Sequence, residues 1–298
     1  MPLRYWLCIF LLAAGWGSSF FFNEILLREL GPLWVALGRV GTGALGCWIW
    51  MIGTRMDLGF PRAAFGALIA FALFQYSIPL AVYPLTQQYI TSSAAGIVNA
   101  MTPIMVVLVS HFWPQGEKAT WPKIVGVGLG FVGITLLAQP SFQGQGDSDP
   151  VALMLTISAP LCYAIALNFL RRLDHLNRVS LTAWSATLGA IVLFPLTFGL
   201  EGWPTITKLE TWASLFIIGF VLTSAAFILL FWLIPRIGGT TASTITFLAP
   251  IVSVLLGVFI LAEVLFPIQF VGMAVIFSGL LFIDGRALKL FGVSKPNG

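Results

Sequence analysis

Residues Ser92 to Val109 read SSAAGIVNAMTPIMVVLV, and 147 positions later Gly239 to Leu256 read GTTASTITFLAPIVSVLL. At that fixed offset Ala95, Pro103, Ile104, Val107 and Leu108 return as Ala242, Pro250, Ile251, Val254 and Leu255, and Ser93 is answered by Thr240. One residue of slip carries the match on. Glu117, Val125, Gly126, Phe131 and Gly133 pair with Glu263, Val271, Gly272, Phe277 and Gly279 at an offset of 146. Self-similarity at a fixed period describes a duplicated chain, and every further feature has to fit two copies of one unit.

The unit is built for lipid. Hydrophobic residues make up 58% of the chain and charged residues 9%, against about 25% charged in soluble domains, so the surplus apolar surface needs hydrocarbon around it. Apolar runs bounded by charges, Pro or Gly predict ten spans, at 4–23, 32–53, 62–83, 91–113, 121–139, 150–170, 179–199, 211–234, 240–262 and 267–285. None alternates with period two, and backbone groups in hydrocarbon must bond within their own segment, so helices are expected rather than a barrel. The expected class is an all-α integral membrane protein. The opening stretch, with Arg4, apolar Tyr5–Leu12 and small Ala13, Ala14 and Gly15, also has the make-up of a secretory signal. Its apolar character runs on through Trp16 to Phe22, and losing it would leave the two units unequal, so it is read as the first span.

Charge sets the orientation. Arg4, Arg55, Arg62, Lys118, Lys123, Arg171, Arg172, Arg178, Arg236, Arg286, Lys289 and Lys295 fall on the side that holds both termini. Only Arg28 and Lys208 fall on the other, and Arg39 lies inside a span. The excess of Lys and Arg in cytoplasmic loops then predicts both termini in the cytoplasm, and it gives the net charge of +4 no bearing on nucleic acid. Five spans per unit, an odd number, force the second copy to enter the membrane inverted. The expected organisation is a first five-helix repeat over 1–140, a linker over 141–149 in the stretch QPSFQGQGDSDP, and a second five-helix repeat over 150–298, together one transmembrane domain. Inverted repeats with a midplane site are a transporter design, because two halves can rock about a central pocket.

Polar residues within the spans mark the candidate site. Trp16, Phe20 and Asn23 share helical spacing in the first span. Arg39, two turns from the outer end of the second, must face protein or water or snorkel outward, which leaves a structural charge or a contact to substrate or gate. In the third span Tyr76, Pro79 and Tyr83 fall on one face, Tyr76 deep enough for a pocket and Tyr83 open to a pocket or interfacial reading. In the fourth, Asn99 precedes Pro103 by four residues, so the proline frees the Asn99 carbonyl and predicts a kink; a loosened carbonyl beside an amide suits a polar head group, with interhelical bonding the rival. Pro250 predicts the matching kink. Tyr163 stands 147 after Trp16 and Thr246 stands 147 after Asn99, Asn168 adds an amide to the sixth span, and Arg39 is answered by Ala186. The stripe Phe220, Thr223, Ser224, Phe227 and Phe231 reads as helix packing, as do Gly126, Gly128, Gly130 and Gly133.

Other chemistries lack their residues. The cysteines Cys8, Cys47 and Cys162 sit in apolar runs, and His111 and His175 form no HExxH or Cys–His cluster, so neither a disulfide framework, a metal nor a cofactor is expected. Every Asp and Glu falls at a span end or in a loop, which argues against a conventional proton relay and leaves facilitated movement or an unusual coupling. An enzyme reading has no nucleophile–base set, and a scaffold reading predicts no saturable flux.

The segments GIVNAMTPIMVVLVSHFWPQGE and GVGLGFVGITLL, STITFLAPIVSVLLGVFILAE and VGMAVIFSGLLF, with ALGR and AAGWGSSFFFNEI near the start, resemble the EamA-type carriers of the drug/metabolite transporter superfamily. The resemblance spans nearly the whole chain. It implies ten helices in two inverted repeats, with helices one, three, four, six, eight and nine around a central cavity, and within the family it is nearest to the aromatic amino-acid exporters of bacterial inner membranes. The expected function is therefore export of small, mainly apolar or aromatic amino acids from the cell by alternating access. Trp16, Tyr76 and Tyr163 serve as walls, Asn99 as head-group contact, and Pro79, Tyr83, Asn168 and Thr246 complete the site. Export of other apolar metabolites or cationic drugs is the alternative. The only partners expected are the substrate and the bilayer, and a monomer suffices.

Overall fold

The computed structural model describes residues 2–60 and 62–285, without the side chains of residues 239 and 240. Arg286, Lys289 and Lys295 of the charge pattern lie outside the described residues. Among the described residues the chain is helical, with no strand. Its helical segments are α1 (Leu3–Leu27), α2 (Pro32–Gly53), α3 (Arg62–Gln87), α4 (Ser92–Phe112), α5 (Trp121–Phe142), α6 (Pro150–Leu173), α7 (Arg178–Glu201), α8 (Leu209–Ile237), α9 (Thr244–Phe259) and α10 (Pro267–Ile283). The first eight are long and apolar enough to cross a bilayer; α9 and α10, at 16 and 17 residues, are shorter. Leu11, Ile49, Ile191 and Leu200 are each more than 60% exposed, an outer surface that only hydrocarbon satisfies.

Several boundaries differ from the hydropathy reading, and at two of them a polar side chain finds a partner inside the fold. Helix α1 runs four residues past 23 and α3 four past 83, and there Asn23 Nδ2 donates to Gln87 Oε1 at 2.8 Å while Gln87 Nε2 donates to the Phe20 carbonyl at 2.9 Å. Helix α9 stops at Phe259, three residues short of 262. The chain then turns back through Ala262 at φ 57°, a left-handed conformation that costs a non-glycine residue about 1–3 kcal/mol. That turn aims Glu263 back across the bundle.

The main helix pairs recur when each label is shifted by five. Helix α5 lies along α10, α2 along α7 and α4 along α9; α1 packs on α9 as α6 packs on α4, and α2 on α8 as α7 on α3. The α5–α10 seam shows why glycine recurs there. A methyl group at Gly126 would stand 2.6 Å from the Gly279 carbonyl oxygen and one at Gly133 would stand 2.7 Å from that of Gly272; the reverse contacts, Gly279 to Gly126 and Gly272 to Gly133, have the same values. Any side chain would push these backbones apart.

Hydrogen bonds among helix ends and loops define two ends. At one, Trp184 Nε1 donates to the Gly59 carbonyl at 3.2 Å, Arg171 to the Gln115 carbonyl at 3.2 Å and Ser243 to Asp284 at 2.8 Å. Arg4, Arg55, Arg62, Lys118, Lys123, Arg171, Arg172, Arg178 and Arg236 flank this basic end. At the other, Glu201 accepts from the Leu33 and Trp34 amides at 2.9 and 3.1 Å, and the Asp149 amide donates to the Tyr89 carbonyl at 2.7 Å.

Candidate functional site

The centre of the bundle is set by a break in α4. Regular helix runs from Ser92 to Asn99 and resumes at Thr102, with Pro103 in the first turn of the second piece. Proline at 103 has no amide proton to bond the Asn99 carbonyl, and the Thr102 hydroxyl takes that carbonyl instead, at 2.7 Å. Ser92 to Val98 are all buried, whereas Asn99 is half-buried, because at the break its side chain meets a cavity rather than a neighbouring helix. The Tyr83 hydroxyl donates to Asn99 Oδ1 at 2.7 Å, and the Tyr83 ring meets Phe20 edge-on at 5.0 Å.

The cavity has a volume of about 640 Å³, within the range of roughly 300–1,000 Å³ usual for small-molecule sites. Trp16, Tyr76, Tyr83, Asn99, Tyr163 and Thr246 all line it, as do Arg39 and Pro103. Trp16 is fixed by its indole N–H, which donates to the Leu222 carbonyl at 3.1 Å, and it packs on Phe227 at 5.6 Å. Tyr76 contacts Phe71 and Phe227, each at 6.3 Å between ring centres. It lies in a π-helical turn, Leu73–Ser77, inside α3, a feature that recurs at functional sites.

Three of the expected residues stand off the cavity wall. Pro79 is buried off the cavity wall, and Leu80, four residues after Tyr76 and three before Tyr83, takes the place; a ring tied back to its own nitrogen reaches less far than leucine. Asn168 is also off the wall. Its Nδ2 donates to Ser110 Oγ at 3.2 Å and to the Ala164 carbonyl at 2.9 Å, so it ties α6 to α4. Pro250 is buried inside α9, which runs on from Thr244 to Phe259 without the break seen in α4; the interruption falls earlier, at Ser243, between α9 and a single helical turn at Gly239–Ala242, and Ala249 rather than Pro250 lines the cavity.

Part of the α8 stripe read as packing is wall instead. Thr223, Phe227 and Phe231 line the cavity, while Ser224 does pack, donating to the Gly43 carbonyl at 2.6 Å. A long π-helical stretch, Ile217–Ala225, shifts the register of α8 there, which an α-helical spacing rule does not foresee. Ser19, Gln75 and Thr182 are wall residues with no sequence signal beyond polarity within a span, and Arg178, read as a loop charge, stands at the cavity mouth.

The two ends of the cavity differ. Toward the basic end it reaches Leu170, Arg178, Ile234 and Pro235 at the helix termini. Toward the other it stops beneath a layer of carboxylate contacts. Glu263 Oε1 accepts from the Ser92 amide and hydroxyl, both at 2.7 Å, and Oε2 accepts from the Ser93 amide at 3.0 Å and from the Ser93 hydroxyl. A carboxylate at the first amides of α4 satisfies donors that the helix cannot and meets the positive end of its dipole. Glu29, beyond the end of α1, is held likewise by Thr207, Thr211 and the Lys208 amide across the gap to α8. Bonds from the Thr207 and then the Thr211 hydroxyl lower its pKa to about 2.

In the cavity the one deep charge is Arg39. Its Nε donates to Thr223 Oγ1 at 3.4 Å and its Nη2 to Ser19 Oγ at 3.2 Å. Among the described residues no group of three or more His, Cys, Asp and Glu side chains gathers to hold a metal ion.

The profile of the EamA-like transporter family matches this chain twice, over residues 3–139 and 150–284. An uncharacterized transporter of Archaeoglobus fulgidus is 24% identical over 94% of this chain and 99% of its own. A protein of Escherichia coli (strain K12) named a probable amino-acid metabolite efflux pump is 24% identical over 91% of each chain. A solved crystal structure superposes with a TM-score of 0.67 at 16% identity, covering 97% of this chain and 99% of that one, which shows a common fold. With matches covering nearly all of its length, the chain belongs to the EamA-like transporter family and is a multi-pass membrane transporter of small molecules, not an enzyme.

Proposed function

We propose that the chain exports small, mainly apolar or aromatic amino acids across the inner (plasma) membrane by alternating access, with both termini in the cytoplasm. The observation that carries this is the wall chemistry of the cavity. Aromatic rings from α1, α3, α6 and α8 share the wall with two hydrogen-bonded polar sets, Arg39 with Ser19 and Thr223, and Tyr83 with Asn99. Rings provide flat apolar surface for a side chain, and the polar sets provide donors for a head group. The likeness to a protein named as an amino-acid efflux pump supports the same substrate class.

Direction and mechanism follow from the unequal ends. If the Lys- and Arg-rich end faces the cytoplasm, the cavity loads from inside the cell while the Glu263 and Glu29 contacts seal the outside. Ten spans in two inverted repeats account for a helix-pairing pattern that survives a shift of five labels, and such a pair of repeats exchanges its open and closed ends by rocking. The cavity is enclosed by one chain, so a monomer suffices.

Purified protein in liposomes is expected to move labelled phenylalanine with saturable kinetics. Asn99→Ala leaves the Tyr83 hydroxyl unpaired as well as removing the amide, and it should lower that flux by roughly tenfold or more. Absence of saturable flux for any amino acid would sink the substrate class. Flux of flat apolar metabolites without amino-acid competition would favour the rival substrate set within the same fold.

A further inference from the structure

We infer that Arg39 is the reader of a substrate carboxylate, so that the cavity selects apolar bodies bearing one anionic group and rejects organic cations. The inference deepens the amino-acid reading and rests on it for its choice of substrate.

Arg39 is a guanidinium within the span of the membrane with no counter-ion. The ion pairs among the described residues are Lys123–Glu117, Arg178–Asp174 and Lys208–Glu210, and none involves it. No Asp or Glu lines the cavity; its only charged wall residues are Arg39 and, at the mouth, Arg178. The Ser19 and Thr223 hydroxyls orient Nη2 and Nε but bring no negative charge, and Nη1 has no partner among the described residues. An arginine so placed is costly unless an anion joins it, and a planar guanidinium held from one edge presents its free edge as a donor fork for a carboxylate.

The neighbours fit one carboxylate and no more. Nδ2 of Asn99 is likewise without a partner among the described residues, because Oδ1 is the atom engaged by Tyr83. At the position matched to it by sequence stands Ala186, fully buried and uncharged, and the other wall cation, Arg178 at the mouth, is paired with Asp174, so no second free cation stands beside Arg39 to hold a dianion. The ammonium of an amino acid has no carboxylate to meet on this wall. It is left to hydroxyls and ring faces, a weaker and more replaceable set of contacts.

The inference therefore ranks the two charges of the substrate. In competition against labelled phenylalanine flux, 3-phenylpropanoate, which lacks the ammonium, should compete within about tenfold of phenylalanine, while phenethylamine, which lacks the carboxylate, should be weaker by roughly tenfold to a hundredfold. Arg39→Lys should keep the order and Arg39→Gln should abolish it. Equal competition by the amine, or an unchanged order in a folded Arg39→Gln carrier, would overturn the inference. A second readout covers the case in which no amino acid is moved. The thermal midpoint of the detergent-solubilised wild-type carrier should rise with 3-phenylpropanoate and not with phenethylamine. That result keeps the charge assignment while the amino-acid reading fails, and equal shifts from both compounds reject the assignment.

Discussion

Helices α4 and α9 are built from matched sequence and meet along the middle of the molecule, yet they are treated differently by it. In α4 the helix opens between Asn99 and Thr102 and presents an amide to the cavity; in α9 the equivalent stretch stays helical past Pro250. The acids that follow them diverge as well. Glu263 reaches back over the bundle to four donors on Ser92 and Ser93, whereas Glu117, its counterpart in the first half, is 67% exposed and pairs with Lys123 of its own neighbourhood. The two matched segments thus hold dissimilar partners, and the cavity stops on the Glu263 side while it reaches the helix termini on the other.

Several substitutions test that contrast, the strongest at the latch. Glu263→Ala removes a partly buried carboxylate from four donors and is expected to cost the sealed end about 3 kcal/mol. Faster labelling, from the side bearing Glu263, of a cysteine placed at Thr246 in a background without Cys8, Cys47 and Cys162 would show it. Glu117→Ala breaks an exposed pair and should change stability by less than about 0.5 kcal/mol. Equal effects from the two acids would break the comparison outright.

The unequal pair Asn99 and Thr246 sharpens it. Asn99→Ala should reduce flux by roughly tenfold or more, because two polar groups lose partners, while Thr246→Val should stay within about threefold. Asn168→Ala probes a link made by α6 and α4 alone; it should cost about 1–2 kcal/mol in thermal unfolding with KM unchanged, and a raised KM at constant stability would return Asn168 to the substrate site.

The smallest effect is at the second seal. Since Glu29 titrates near 2 in the folded chain against an ordinary value of 4.5, its stabilising contribution is complete above about 4.5 and is lost as pH falls toward 2. The stability gap between wild type and Glu29→Gln should therefore be constant from pH 5 to neutrality and shrink below it. A gap that widened on acidification would contradict the assignment.

Much of the cavity wall was legible because helical spacing and polarity inside a span are local facts. Trp16, Tyr76, Tyr83, Asn99, Tyr163 and Thr246 stand on the wall, and the α4 break sits where proline removes the bond to the Asn99 carbonyl. Where spacing went astray, a non-local partner or a change of helical period decided. Asn168 found Ser110, and π-helical turns in α3 and α8 brought Thr223, Phe227 and Phe231 round to the cavity.

The sequence by itself determined the solvent, the helical class and the matching of the halves, since composition and a repeated period can be read along one dimension. Which of the two matched acids is engaged and which end is shut was decided only by tertiary structure. So was the fact that Arg39 meets hydroxyls and no carboxylate. The internal sequence match states no preference between the two acids. That preference exists only as hydrogen bonds between residues some 170 positions apart, Ser92 and Ser93 with Glu263, and these form in one arrangement of the bundle.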